Sequence, residues 1–519
     1  MTENVFAVTI QSTSEERKYD SGKEKVQIMG TKITAEIGIV AAGPAGLCAA
    51  ASASEAGCSV VVFEKAAGPG GTANMGMGPL GIESRIQQRA MVNLTKEDAF
   101  RRFMDYVHWQ VDAQLVHDYL WRSGDTINWL EDMGVEFAGV KKNFPASEQT
   151  WHVVKPEGGG IPGPRSASAM NKVLHKHCVE NGVKFYFSSP VKELVKTGDA
   201  VTGFRAAGPN GEEYEVEAKA VIIATGGFGT NPEMVKKYCG YTLNKDMFDF
   251  MIPGIMGDGI RMAWEAGAGH GRMEMERIGA PNLPGANMGE WPQATLFMQG
   301  GPVAINKSGY RCCDESVLQN GSICGNIIDY QQDKVMYKVM SSDMVKYYRR
   351  NGMDFPSEVF GGDPTINFDE NMQKAEEQYP DLAFTADSLE ELAQKMGVNA
   401  DNLVDTIDHY NDMCDENYDD DFGKSRNYMH PCTGKKFYAL EFRCNAYGSL
   451  GGIKINHNYE VITDDYQVIP GLYGAGTDVC EIYNGTYYYY FPGNTMGFAV
   501  NSGRMAGENA SDYVQNMEE

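Results

Sequence analysis

The sequence predicts an α/β fold: a Rossmann-like nucleotide-binding domain that carries a β-meander and is interrupted by an α+β insertion. Three observations predict it. A strand, a glycine turn, a helix and a second strand follow one another over residues 36–65. Short strands divided by turn residues occupy 183–218 and lead into the continuous apolar run "AVIIATGG". The βα rhythm then stops near residue 273, and glycine-rich strand and turn signals return only after "FYAL" at 437–440. Alternating βα units indicate a parallel sheet, and a break of that rhythm indicates a separate unit.

The first 35 residues are polar and mixed, and read as an extension. In "AEIGIVAAGPAGLCAAASASEAGCSVVVFEK", Ile37, Ile39 and Val40 precede the turn, an alanine-rich helix runs to Gly57, and Val60 to Phe63 form a buried strand. This is one βαβ unit of about 30 residues. Residues 166–182 read as an amphipathic helix with Met170, Val173, Leu174 and Cys178 on one face and Asn181-Gly182 as its stop. The strands "VKFYF", "VTGFRA" and "EYEVEA" follow, with turns at Gly198-Asp199 and Asn210-Gly211. Residues 281–303 are rich in Gly, Pro and Met and read as loops. Two helices are expected over 386–415, the first capped by Ser388 with Glu391 at capping-box spacing, the second opened by Asn399. A last helix is expected over 495–513. The divisions are therefore 1–35 (extension), 36–272 (first part of the nucleotide domain), 273–437 (insertion) and 438–519 (second part).

The 519-residue chain is 42% hydrophobic and 22% charged, the values of an ordinary globular protein. Its net charge of −25 argues against nucleic acid or an anionic membrane surface as a partner. Eleven cysteines show no CxxC, haem-attachment or cluster spacing, so no metal site is expected and free thiols in a reducing cytoplasm are. The N-terminal stretch lacks the basic start and apolar core of a signal peptide, and no run of about 18 apolar residues is present to span a membrane.

In "AAGPAG", Ala41, Gly43 and Gly46 occupy the three positions of a dinucleotide fingerprint, with Ala41 replacing the first glycine. Gly43 lets backbone approach a pyrophosphate, Gly46 lets the helix pack on the strand, and the helix N-terminus offers free N–H groups. Ala42, Pro44 and Ala45 complete the turn. Glu64 ends the second strand at the place of the ribose-binding acid, with Lys65 beside it. Directly afterwards comes "KAAGPGGTANMGMG", a second glycine loop containing Gly70, Gly71 and Thr72. Such a loop resembles that of two-dinucleotide-binding flavoproteins, and no second GxGxxG follows for a nicotinamide nucleotide, so FAD is the expected cofactor.

The motifs "IVAAGPAGL", "EKAAGPGGT", "VIIATGGFGTN", "GDGIRMAWEAGA", "NKSGYRCCDES", "DSLEELAQKMGVNADNL", "LGGIKIN", "VIPGLYGAGTD" and "GNTMGFAVNSGRMAGENA" appear in this order across residues 36–512. Jointly the chain resembles the fumarate reductase/succinate dehydrogenase flavoprotein superfamily. The resemblance implies an FAD domain interrupted by a capping domain, with hydride exchange between flavin N5 and a carbon–carbon bond at the boundary. It also implies cofactor contacts from Ala224, Thr225 and Gly226, from Gly257 and Asp258, from Gly476 and from Asp478 on the ribityl chain. Gly493, Asn494 and Thr495 start the last helix, whose N–H groups would face the flavin N1/O2 edge. Covalent attachment needs a histidine beside the second glycine loop; none of the nine lies between 60 and 100, so non-covalent FAD is expected. With no haem motif, electrons are expected from an external donor, a nicotinamide cofactor or a carrier protein.

The family's cationic substrate residues are replaced. Its proton-donating arginine falls on Gln319, its histidine before "GG" on Tyr447, and its arginine before the last glycine turn on Tyr489 or Tyr490. A dicarboxylate would be poorly held without them. The run "YYYYFPGN" is similar to the 3-ketosteroid dehydrogenase branch, where a phenol binds the substrate carbonyl. Tyr447, Tyr489 and Tyr490 are therefore the expected catalytic residues, with aromatic packing as the alternative. Because alternate residues of an extended segment face opposite ways, two of Tyr487 to Tyr490 are expected at the substrate. The activity expected is FAD-dependent reduction of an uncharged cyclic substrate, an enone steroid or an isoflavonoid-type polyphenol. The alternatives are the reverse, dehydrogenase direction, a fumarate reductase-like enoate reductase, and a flavin electron carrier without an organic substrate.

Overall fold

The computed structural model of the chain describes residues 31–249, 252–286, 289–356, 358 and 363–517. Thirty residues of the expected extension and the N-terminal stretch read for a leader lie outside the described residues. Strand β1 (Thr31–Val40) starts inside that extension, because Thr31 to Ala35 pair with Tyr214 to Ala218. Helix α1 (Pro44–Glu55) and strand β2 (Val60–Phe63) complete the first βαβ unit.

The first sheet runs Glu460–Ile462, Val468–Gly474, Glu213–Ile223, β1, β2, Lys184–Tyr186. Along this row every pairing is parallel except that of the Glu460–Ile462 edge. Ile37, Ile39, Val62, Ile222 and Ile223 are fully buried, as residues of a sheet covered on both faces must be. "EYEVEA" and "AVIIATGG" are one strand rather than two, since Lys219 and its neighbours include no turn former. Its first half pairs antiparallel with Ala200–Ala207, which pairs with the unanticipated strand Val191–Thr197 through the expected Gly198 turn.

α1 lies against the C-terminal helix Asn494–Asn516, and glycines set their distance. A Cβ on Gly503 would stand 2.1 Å from the Ala45 carbonyl oxygen, and one on Gly507 2.5 Å from that of Ala49. Gly46 meets the other side of the same constraint, 2.0 Å from the Ala41 carbonyl oxygen, which is the helix–strand packing its fingerprint position implies.

A second sheet contains His270–Pro281, Phe437–Ile453, Met336–Ser341 and Val303–Ile305, with Ala383–Ala386 and Met247–Asp249 also on the long strand. It draws on residues from both sides of positions 273 and 438. The helices Leu389–Met396 and Ala400–Glu416 match the expected pair. Ser388 accepts from the Glu391 N–H at 3.2 Å, but the Glu391 carboxylate takes the Asp387 N–H instead of closing a capping box. Arg311, in the "NKSGYRCCDES" motif, is buried between Glu315 and Asp419. Its neighbour Tyr310 is exposed.

Candidate active site

β1, β2 and the strands Glu213–Ile223 and Val468–Gly474 run parallel, so their carboxyl ends open on one side. There the chain places 41–46, 64–65, 224–227 and 475–478, which is where ligands bind in open α/β sheets. Ala41 takes φ +87°, the left-handed conformation that the fingerprint's first glycine supplies. A Cβ on Gly43 would meet nothing within 4 Å, while one on Gly71 would come 3.4 Å from the Gly43 Cα. The Gly70 N–H donates to the Ala42 carbonyl at 2.8 Å, so the two glycine loops are joined beside that opening. Thr72 lies half-buried in the short helical turn that follows.

Several expected cofactor residues turn toward the protein instead. The buried Glu64 carboxylate accepts the Ala42 and Ala66 N–H groups, both at 2.7 Å, and so shapes the glycine turn directly. Asp478, expected on the ribityl chain, is fully buried and accepts from the Thr225 N–H and hydroxyl and from the N–H groups of Gly226 and Gly227. Its carboxylate organises the 224–227 turn, whose Ala224 N–H returns to Val40 at 3.0 Å. Lys65 pairs with Asp258 at 2.8 Å and also donates to the Gly254 carbonyl. Burial alone would raise the Asp258 carboxyl, but Lys65 and Arg261 bring it below its ordinary value. Gly257 is packed on Met234 and Phe228, and Gly476 on the Ala45 methyl.

At the last helix, Gly493 has φ +83° and its carbonyl accepts the Leu80 N–H at 2.8 Å. A Cβ there would stand 2.8 Å from Leu80 N and from Trp151. Asn494 is fully buried; its Oδ1 accepts from Tyr119 at 2.9 Å and its Nδ2 has no protein partner. Thr495 was expected at the cofactor, but its hydroxyl donates to Glu276 at 2.6 Å and its N–H to the Tyr487 hydroxyl at 3.3 Å.

The tyrosine run is an irregular segment and turn, not a strand, yet its rings still alternate. Tyr487 and Tyr489 form one pair, 6.0 Å apart, and Tyr488 and Tyr490 another at 6.1 Å. The Tyr489 hydroxyl meets that of Tyr447 at 3.3 Å. The Tyr489 ring stacks on Phe144 and lies against Gly321, just past Gln319. Tyr447 keeps 40% exposure although surrounding protein desolvates its hydroxyl, the combination of a side chain lining a deep cleft. Burial pushes both phenols above their ordinary value, so both are protonated hydrogen-bond donors at neutral pH. The Tyr490 ring packs edge-on to Tyr106 and lies 5.8 Å from that of Phe144, and its carbonyl accepts the Glu148 N–H at 2.8 Å.

Gln319 donates to the Ser316 carbonyl at 2.9 Å, and its Oε1 is buried without a protein partner. Sequence reasoning missed Glu276, which is 5% exposed beside Thr495 and Tyr487. The only trace of it was the alternation Met273-Glu274-Met275-Glu276 within a strand. A hollow of about 490 Å³ lined by Pro232, Glu233, Lys236, Lys237, Thr242 and Leu243 includes none of these residues.

Residues 37–490 match the FAD binding domain family. The chain belongs to that family. Among curated relatives, the vinyl phenol reductase of Lactiplantibacillus plantarum is 31% identical over 92% of this chain and 97% of its own. The urocanate reductase of Eggerthella lenta is 26% identical over 86% and 70%. The 3-ketosteroid-Δ4-(5α)-dehydrogenase of Rhodococcus jostii shares the fold, with a TM-score of 0.71 at 22% identity, covering 92% of this chain and 97% of that one. The protein is thus an FAD-dependent oxidoreductase of the fumarate reductase flavoprotein superfamily, a family whose reductases act on carbon–carbon double bonds. The geometry fits FAD: open space over Gly43 at the start of α1, the Gly71 loop beside it, and the unpartnered Asn494 amide at a helix N-terminus. Among the described residues no helix is long and apolar enough to cross a membrane.

Proposed function

We propose that the protein reduces a conjugated double bond in an uncharged cyclic substrate, a phenolic alkene or polyphenol before a steroid enone. The Tyr447–Tyr489 hydroxyl pair carries this reading, because it stands where the superfamily resemblance places cationic anchors for a dicarboxylate. The similarity to a vinyl phenol reductase supports the phenolic choice. When bound and reduced, FAD supplies the hydride for one carbon of the double bond.

The chain's own groups do the rest. Gly43, Gly70, Gly71 and the N-terminus of α1 would hold the pyrophosphate without covalent attachment, and Asn494 would donate to the flavin edge. One phenol of the pair donates a hydrogen bond to the substrate's conjugated oxygen. The other supplies a proton to the second carbon. Since both phenols are weaker acids than free tyrosine, transfer occurs only to the strongly basic carbon that reduction generates. The aromatic faces of Tyr489 and Phe144 suit a flat ring. Electrons come from an external nicotinamide cofactor or carrier protein.

Anaerobic reoxidation of the reduced holoenzyme by para-vinylphenol, isoflavones, steroid enones and fumarate tests this. Reoxidation by a phenolic alkene or isoflavone and none by fumarate is the expected result. Rapid turnover of fumarate, with no response to the uncharged panel, would reject it.

A further inference from the structure

Glu276 is a buried carboxyl with no cation: among the described residues no ion pair reaches it. It lies on the strand His270–Pro281 at a bulge. Met275 pairs with Ser449 and Arg277 with Ala446, so Glu276 alone stands opposite Tyr447 and Gly448. Bulges of this kind re-aim a side chain and are frequent next to active sites. Here the bulge directs Glu276 to the N-terminus of the last helix, where the Thr495 hydroxyl donates to it at 2.6 Å. The Thr495 N–H donates to Tyr487, whose ring is 6.0 Å from that of Tyr489, and Tyr489 meets Tyr447 at 3.3 Å.

We infer that Glu276 is the internal proton store that recharges the Tyr447–Tyr489 pair after each turnover, an inference that rests on those tyrosines being the proton donors. A tyrosine that gives its proton to the substrate carbon becomes a phenolate. The protonated Glu276, which stands opposite Tyr447 across the strand pair, returns one proton to the pair, and its carboxylate takes the next proton from water. No electron moves in these steps. The groups that face Glu276 from the elements around it are Tyr447, Tyr483, Tyr487, Tyr489 and Cys480, neutral at pH 7, with Glu274 on its own strand. Burial pushes the Glu276 carboxyl up to about 7, against the hydrogen bonds from Thr495 and Tyr487 that favour its ionised form. The N-terminus of the last helix also favours the ionised form.

Two residues along the same strand Glu274 accepts the Gly485 N–H at 2.9 Å and pairs at 3.6 Å with Arg272, which is 39% exposed, so the solvent edge is near.

The test uses the FAD-loaded protein and Glu276→Gln. In wild type, infrared difference spectra across pH should show one protonated carboxylic acid that ionises near pH 7 and is missing from the variant. Wild-type kcat for the reducible substrate should fall as pH rises through 7. In Glu276→Gln, kcat should be about tenfold lower and flat across that range, while the first turnover of pre-reduced enzyme keeps its wild-type rate. Thr495→Val serves if the glutamine variant fails to load FAD: loss of the hydroxyl donor should move the carboxyl titration upward. A Glu276 already ionised at pH 6, or a glutamine variant with wild-type kcat and pH profile, overturns the inference. If Tyr489→Phe is slow while Glu276→Gln is normal, only this inference fails. If Tyr447→Phe and Tyr489→Phe are both normal, the reading of the tyrosines fails with it.

Discussion

Ala41 is an alanine in a conformation that suits glycine, at φ +87°. Holding a residue with a Cβ there costs about 1–2 kcal/mol, and glycine's extra freedom in the unfolded chain offsets part of the gain. Ala41→Gly should therefore raise stability by roughly 0.5–1 kcal/mol, read from the midpoint of chemical unfolding, with FAD retained. Glu64 has the opposite role. Its two carboxylate bonds to Ala42 and Ala66 hold the glycine turn, so Glu64→Ala should weaken FAD binding about tenfold or more, measured by titration of the apoprotein. The sequence puts Glu64 at the end of β2, but its bonds to Ala42 and Ala66 were not legible, because a carboxylate there suits a ribose or a backbone turn equally well. Tyr447 was legible for a different reason, as a phenol where a histidine was expected. Glu276 was not, since its meaning comes from Thr495 and Tyr487, more than 200 residues further along the chain.

The βαβ unit could be read from sequence because its apolar run, glycine turn and alanine-rich helix are local signals. β2 has the bounds expected of it. The strand His270–Pro281 was hidden because its short Met-Glu alternation breaks at Arg277 and is flanked by Gly271 and Gly279. The fold satisfies its arginines from elsewhere: Arg272 on the Tyr483 carbonyl at 2.9 Å, Arg277 on Asp329 at 2.8 Å. A similar long-range cluster joins Arg311, Glu315, Asp419 and Lys424. Arg311 meets Glu315 at 2.9 Å and Asp419 at 2.8 Å, and Lys424 meets Glu315 at 3.0 Å, all buried. Burial alone would raise both carboxyls. Lys424 and Arg311 overcome it for Glu315, and Arg311 with backbone N–H groups for Asp419, so each is held at about 2. Both values lie below those of free carboxyls, so the stabilisation is complete above pH 4.5 and is lost as pH falls toward 2. Arg311→Leu should cost about 3–5 kcal/mol at neutral pH by leaving the buried Asp419 without its cation and Glu315 with Lys424 alone. That deficit should shrink between pH 4.5 and 3, as unfolding curves at several pH values would show.

At the scale of the molecule, parallel strands end on one side, two glycine loops meet over Gly43, and the last helix brings Gly493 to Leu80 and Thr495 to Glu276. These contacts bring chain positions from both ends to one region, which ordered motifs signal only through a family resemblance. The tyrosine pair sits in that region, at positions where the superfamily resemblance implies cationic anchors. The proposed role of this pair, protonation of an uncharged conjugated substrate, is checked by anaerobic stopped-flow mixing of pre-reduced wild type, Tyr447→Phe and Tyr489→Phe with para-vinylphenol. All three should keep full FAD content, and flavin reoxidation should be slower by about 10²-fold in Tyr489→Phe, the loss expected for a positioned proton donor or oxyanion partner. Reoxidation of both variants at the wild-type rate would contradict it.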